Sequence, residues 1–212
     1  MISRPSPRTP VKVLCSGCFV VIEGLDGSGG TTQLQRLAAA WREREPEREI
    51  VTTREPSDGP VGRLIRAQLA GEELGDAVLP YLFAADRRDH LDRVVLPVMA
   101  RGGVVLSDRY ALSSFAYQSA ALGLPEVQRL NAAFPAPTLT LLLDLAPEAC
   151  LDRIARRGAP RDRFETLTRL ESVQRAYEAA IAATPAWPLV RIDAAPDADE
   201  VHARILEVIW PT

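Results

Sequence analysis

Five short apolar runs, unbroken rather than alternating, constrain the fold of this chain more than any other feature. They fall at residues 19–22, 49–53, 103–107, 138–145 and 189–193. A strand with one wet face alternates apolar and polar residues. An unbroken run rich in branched side chains reads as a strand covered on both faces, as in a parallel sheet. Between the runs lie helical patterns at 32–45, 61–70, 76–100, 125–133, 147–157, 166–183 and 199–209. Pro125 and Pro147 suit first-turn positions, where a missing N–H costs nothing. Strand and helix in alternation predict a three-layer α/β fold, a parallel sheet with helices on both faces.

At 212 residues the chain is long enough for one medium domain with a sizeable core. No repeat, low-complexity tract or linker divides it. The expected organisation is a flexible leader at 1–16 and one domain over 17–212. The start of the chain mimics a signal peptide, with Arg4, Arg8 and Lys12 ahead of an apolar stretch at 13–22. Pro5, Pro7 and Pro10 crowd it, Glu23 ends it, and no A-x-A-like site follows. No apolar run approaches the roughly 20 residues that span a bilayer. A net charge of −3 gives no argument for a nucleic-acid or membrane partner. Cys15, Cys18 and Cys150 do not make a disulfide framework, and an odd count in a chain of this size suggests the cytoplasm. Cys15 and Cys18 form half a tetrahedral zinc site, and the only histidines are His90 and His202.

The sharpest motif follows the first run: Gly24-Leu25-Asp26-Gly27-Ser28-Gly29-Gly30-Thr31-Thr32. It fits the phosphate-loop pattern G-x-x-x-x-G-K-[ST] except that Gly30 stands where lysine is required. Glycines let the backbone approach an anion closely. Successive N–H groups and a helix N-terminus form an anion site, and the Thr31 hydroxyl is suited to a phosphate-bound Mg²⁺. By itself this segment fits either a phosphate site or a turn that merely packs the helix. Of the 25 basic residues one is lysine, Lys12, and 24 are arginine. Lys12 precedes the first strand, at the opposite end of the sheet from the loop. Arginine is therefore the source of charge.

Further segments carry a resemblance. They are Thr53-Arg54-Glu55-Pro56, Leu82-Phe83-Ala84-Ala85-Asp86-Arg87, Ser107-Asp108-Arg109-Tyr110 leading to Ser113-Ser114-Phe115-Ala116-Tyr117-Gln118, and Asp162-Arg163-Phe164-Glu165. With the glycine loop before them, the chain resembles the thymidylate kinases of bacterial type over about residues 19–209. The resemblance implies a P-loop NTPase-like fold with a five-stranded parallel sheet flanked by helices, in a cytoplasmic homodimer. It implies transfer of the γ-phosphoryl group of ATP to dTMP, with Mg²⁺. Phe83 would stack on the base, Arg87 would hydrogen-bond its O4 edge, Ser114 would reach the base, and Gln118 would belong to the substrate site. Tyr117 would crowd the 2′ carbon. Arg54 and Arg109 would hold the acceptor phosphate. Asp26 and the Tyr177-Glu178 pair would lie near the sugar 3′-OH or a phosphate-bound magnesium. The ATP phosphates would sit on Gly24, Gly27, Ser28, Gly29, Gly30, Thr31 and Thr32, with Arg153 beside them. Thr31, Asp108 and Glu178 would serve the metal. A lid at about 153–165 would bring Arg157, Arg161 and Arg163 over the phosphates, with Glu165 orienting them or capping.

Each residue also has a plainer reading. Phe83 fits core packing, Arg153 and its neighbours a solvated face, Asp108-Arg109 a structural ion pair, and Tyr177 helix packing. Three departures from the family pattern stand out: Gly30, Ser57-Asp58-Gly59, and the apolar Phe115. Gly30 leaves one alternative beside an active enzyme with arginine in place of lysine, a weak or inert nucleotide binder on the same scaffold. Phe115 and Ser114 leave the base open, and with it a second alternative, a kinase for a different deoxynucleoside monophosphate.

Overall fold

The computed structural model describes residues 16–71, 74–157 (for Arg157 the backbone alone) and 166–211. Lys12, Cys15, Arg161, Arg163 and Glu165 lie outside the described residues, as do most of the leader and of the expected lid. Five strands form one sheet: β1 (Cys18–Gly24), β2 (Ile50–Arg54), β3 (Val104–Asp108), β4 (Leu139–Asp144) and β5 (Leu189–Asp193). Their order across the sheet is β2-β3-β1-β4-β5, and every adjacent pair is parallel. All seven residues of β1 are buried, as its unbroken apolar run requires. The expected α/β fold with a five-stranded parallel sheet is the one observed.

The helices are α1 (Gly30–Arg44), α2 (Pro60–Leu69), α3 (Leu79–His90), α4 (Leu96–Ala100), α5 (Ala111–Leu122), α6 (Leu124–Asn131), α7 (Pro147–Arg157), α8 (Leu167–Ala182) and α9 (Ala198–Ile209). Two differ from the sequence reading. The pattern at 76–100 predicts one helix, but α3 and α4 are joined by a π-helical turn at Leu91–Val95. Pro97 has no N–H to continue an α ladder, and the wider turn lies just before it. Helix α5 carries no helical signal in the sequence. Ala111 to Ala116 and Gln118 are all buried, so there is no polar face to reveal a period.

The register brings three strand ends level. Ile22 pairs with Asp108, and Arg54 pairs with Asp108 from the other side. The chain leaves β1 toward β3 and β2 first, and returns later to add β4 and β5. In an open α/β sheet, ligands bind at the carboxyl ends of the strands where the order reverses, here beyond β1.

Candidate active site

The loop from β1 into α1 is built for close backbone approach. Gly27 has φ +86°, and a Cβ there would lie 2.5 Å from the carbonyl oxygen of Cys150 on α7. Gly29 has φ +103° and opens on space, since a Cβ there would meet nothing nearer than Arg153 Nη1 at 4.0 Å. Helix α1 begins at Gly30 with no side-chain cap and no acidic residue in its first turn. Its free N–H groups and positive dipole end face the loop's concavity. Arg153 Nη1 donates to the Ser28 carbonyl at 3.3 Å. Its Nη2 donates to the carbonyls of Ala194, Ala195 and Pro196 at 2.9, 3.3 and 3.2 Å. One guanidinium thus rests against the phosphate loop and ties it to the segment before α9.

Thr31 Oγ1 donates to Asp108 Oδ2 at 2.6 Å. A hydroxyl and a carboxylate side by side suit Mg²⁺, which takes oxygen ligands and binds through one or two protein groups plus substrate phosphates. Gly30 faces the same carboxylate. A Cβ at Gly30 would lie 3.3 Å from Asp108 Oδ1. Among the described residues, no group of three or more His, Cys, Asp or Glu could hold a metal by itself.

Beside the loop lies a cleft of about 410 Å³. Phe83, Arg87, Ser114 and Gln118 line one part of it, and Asp26, Arg109 and Tyr117, which hydrogen-bond one another, line another. Phe83 is half-buried in the cleft wall, so helical periodicity alone misreads it as core. Arg87 is 1% exposed and deeply paired. Its Nε and Nη2 donate to Glu55 Oε2 at 2.8 and 2.6 Å. Nη2 also donates to Ser114 Oγ at 2.9 Å, and Nη1 donates to Asn131 Oδ1. Four of the five guanidinium N–H groups are committed, which leaves one on Nη1. Gln118 Oε1, also buried, has no partner among the described residues. His90 braces the pair from behind, with Nδ1 3.2 Å from Glu55 Oε1 and Nε2 2.7 Å from Thr53 Oγ1.

In the other part, Arg109 sits at φ 73°, a left-handed conformation that costs a non-glycine residue on the order of 1–3 kcal/mol. Two bonds hold it there. Its N–H donates to the Ile22 carbonyl at 2.9 Å, and Ser107 Oγ donates to its carbonyl at 2.8 Å. The guanidinium donates to Asp26 Oδ1 at 2.6 Å and Tyr117 Oη at 3.2 Å from Nη2. From Nη1 it donates to Ser113 Oγ at 3.0 Å and Tyr177 Oη at 3.3 Å. Burial alone would lower its pKa, but the Tyr117 and Asp26 oxygens more than reverse this and hold it firmly charged. Burial pushes the hydroxyls of Tyr117 and Tyr177 up from their ordinary range, so both stay protonated donors.

Other expected site residues fall elsewhere. Arg54 is exposed and donates to Asp58 Oδ1 at 2.9 Å, and that guanidinium keeps the Asp58 carboxyl below its usual value. Tyr177 is 3% exposed, off the cleft wall, and its hydroxyl turns inward to Glu23 and Ser113. Glu178 does not join Thr31 and Asp108. It receives both Nη groups of Arg191 on β5, at 2.8 and 2.6 Å. Phe115 points away from the cleft and packs on Trp187, with ring centroids 5.7 Å apart. The departure at Ser57 is structural: its N–H and hydroxyl both donate to the buried Asp86, at 2.7 and 2.6 Å. Sequence reading gave no role to Glu23, Glu55, His90, Ser113 or Asn131. The one available signal was the spacing of Arg87 and His90, which puts both on one face of α3.

Comparison with known proteins agrees with this geometry. The model of the thymidylate kinase family matches residues 22–205. A thymidylate kinase of Verminephrobacter eiseniae is 36% identical over 208 residues, covering 91% of each chain. A thymidylate kinase of Xanthomonas oryzae pv. oryzae is 39% identical over 198 residues, covering 91% of this chain and 85% of its own. The match begins inside β1 and ends inside α9, so it takes in the glycine loop, the cleft and every strand that positions them. The chain belongs to the thymidylate kinase family.

Proposed function

We propose that the chain transfers the γ-phosphoryl group of ATP to dTMP, giving dTDP and ADP, with Mg²⁺ and with no lysine in its phosphate loop. The observation that carries this reading is at the closed end of the cleft. A single spare N–H on Arg87 and an orphan acceptor on Gln118 line the same wall. Thymine presents a carbonyl beside an N–H, which satisfies both. Cytosine presents an amino group beside a bare nitrogen, which satisfies neither and leaves buried polar groups unpaired. Phe83 supplies the stacking face, and Tyr117 occupies the space a 2′-hydroxyl would need.

Arg109 holds the acceptor phosphate, and Arg54 joins it on release from Asp58. The amides of Gly27 to Thr32 hold the ATP phosphates, with Arg153 at the loop and Arg157, Arg161 and Arg163 closing over it. Phosphoryl transfer asks for alignment and charge neutralisation rather than covalent help. Thr31 and Asp108 would hold Mg²⁺, which would supply charge neutralisation at the transferring group. The arginines near the loop fit the bacterial type. The molecule is read as one cytoplasmic kinase domain that forms a homodimer. Leu64 on α2 and Val78 and Tyr81 at α3 are exposed apolar groups suited to such contact.

Coupled ADP release with dTMP, dUMP, dCMP, dGMP and AMP tests the reading. Turnover is expected with dTMP well above the other four, and folded protein inert toward dTMP would overturn it. Gly30 favours a second reading, a weak or inert binder, and Gly30→Lys separates the two. The added Cβ meets Asp108 Oδ1 at 3.3 Å, so the new side chain needs that carboxylate to shift by a few tenths of an ångström. If arginines already supply the charge, the variant changes the rate little. A gain of about 10²–10³ in rate, the scale of one well-placed donor, identifies a crippled loop instead.

A further inference from the structure

Glu23, next to last in β1, is 2% exposed and does not line the cleft. Its Oε1 accepts the backbone N–H groups of Tyr110 and Ser113 at 2.9 and 3.1 Å. Helix α5 has no cap from its own N-terminal side chain, so this carboxylate caps it from another strand. Its Oε2 accepts the hydroxyls of Ser113 and Tyr177 at 2.5 and 2.9 Å.

Each hydroxyl has one proton, and the direction of that proton decides what the oxygen can do. Tyr177 Oη could also donate to the Gly24 carbonyl at 3.3 Å, or share a proton with Ser113 Oγ at 2.9 Å. A carboxylate is the stronger acceptor, so both protons point to Glu23. Both oxygens then turn lone pairs to Arg109 Nη1, which donates to them at 3.0 and 3.3 Å. A buried anion with no cation in direct contact thus orients two neutral groups, and those two groups orient a cation.

We propose that Glu23 is a positioning residue for the acceptor phosphate, holding the Arg109 guanidinium at the mouth of the cleft through the hydroxyls of Ser113 and Tyr177. The inference rests on the reading of Arg109 as the phosphate ligand. It differs from a role in capping α5 alone, and one isosteric change separates the two. In Glu23→Gln the amide oxygen still accepts from Tyr110 and Ser113, so the cap survives. The amide nitrogen can only donate. Ser113 and Tyr177 must accept from it, so no carboxylate fixes their protons. That of Tyr177 is free to turn to the Gly24 carbonyl or to Ser113, and that of Ser113 to Tyr177 or toward Arg109. Arg109 Nη1 loses two acceptors held in one orientation.

The test is steady-state kinetics on Glu23→Gln together with its melting temperature. The KM for dTMP is expected to rise about tenfold or more, while the KM for ATP stays within about twofold. An unchanged KM for dTMP, or equal rises for both substrates, would overturn the proposal. Tyr177→Phe keeps Glu23 and removes one acceptor, and a selective rise of about threefold in the dTMP KM is expected. It decides the matter should Glu23→Gln fail to fold. If wild-type protein has no dTMP kinase activity, the functional reading fails and the Glu23 inference is judged by ¹⁵N NMR of the Arg109 side chain. Resolved Nη signals in the wild type that average together in Glu23→Gln support it, and identical signals in both refute it.

Discussion

Arg87 and Glu55 have side chains 1% and 2% exposed, and each is the other's counter-ion. Removing one partner of a buried pair strands the other charge, at a cost of about 3–5 kcal/mol. Arg87→Ala is therefore expected to lower the melting temperature by about 10 °C, at about 2–4 °C per kcal/mol for a chain of this size. On the proposed reading it also removes the donor that would meet the base. Calorimetry should show dTMP binding lost and ATP binding kept, and equal losses would contradict the assignment. Both effects would belong to one residue because four of its donors serve the fold and the fifth is left for the ligand. The motif containing Arg87 was legible in the sequence, since its residue types name the chemistry. Its counter-ion was not, because Glu55 lies 32 residues away and nothing local links them. Tyr177 differs: the resemblance places it near the sugar or the metal, and in the structure its hydroxyl meets Glu23, Ser113 and Arg109, off the cleft wall.

At the scale of the element, α5 is the helix that sequence hid and that the site most depends on. It carries Ser113, Ser114, Tyr117 and Gln118, and its N-terminal cap is a carboxylate from β1. Burial raises the Glu23 pKa from its ordinary 4.5. A raised pKa means the folded protein holds this proton more tightly than the unfolded chain. The stability it contributes is complete below pH 4.5 and is lost as pH rises through the folded value. Glu23→Gln has no such proton. Its melting temperature relative to wild type is therefore expected to climb as pH is raised from 4 toward neutrality, and thermal melts across that range check the slope. The strands were legible because burial on both faces writes an unbroken apolar run. Most helices were legible from their stripes. Helix α5 was not, because a helix enclosed on nearly all sides has no stripe, and the break between α3 and α4 was not, because one proline does not announce a π turn.

Across the whole molecule, Arg153 links parts that are distant in sequence. From α7 it grips the phosphate loop near one end of the chain and the segment before α9 near the other. Arg153→Ala leaves those carbonyls to solvent and loosens the loop from the segment before α9, with the Gln33–Ala198 and Arg36–Asp199 contacts of α1 and α9 remaining. The KM for ATP is expected to rise while that for dTMP holds, and initial-rate kinetics with each substrate varied in turn checks the split. A lysine there cannot replace the guanidinium, whose planar fork reaches carbonyls on two segments at once. In the sequence, a lone lysine placed away from the loop already leaves the charge to arginine. In the fold Arg109 and Arg153 are planar cations fixed by several bonds each, which suits the proposed reading that arginines stand in for a flexible point charge.

Ile22, Arg54 and Asp108 stand level at the sheet edge. The parts that handle phosphate grow from this edge within a residue or two, while the parts that read the base ride on α3 and α5. In the proposed reading helix α5 joins the two, since its Ser113 and Tyr117 accept hydrogen bonds from Arg109 while its Ser114 and Gln118 line the base pocket. A protein engineer recutting that pocket for a new nucleobase has a free hand on α3, where Phe83 sits, and on α5 must spare the two hydroxyls that seat the cation.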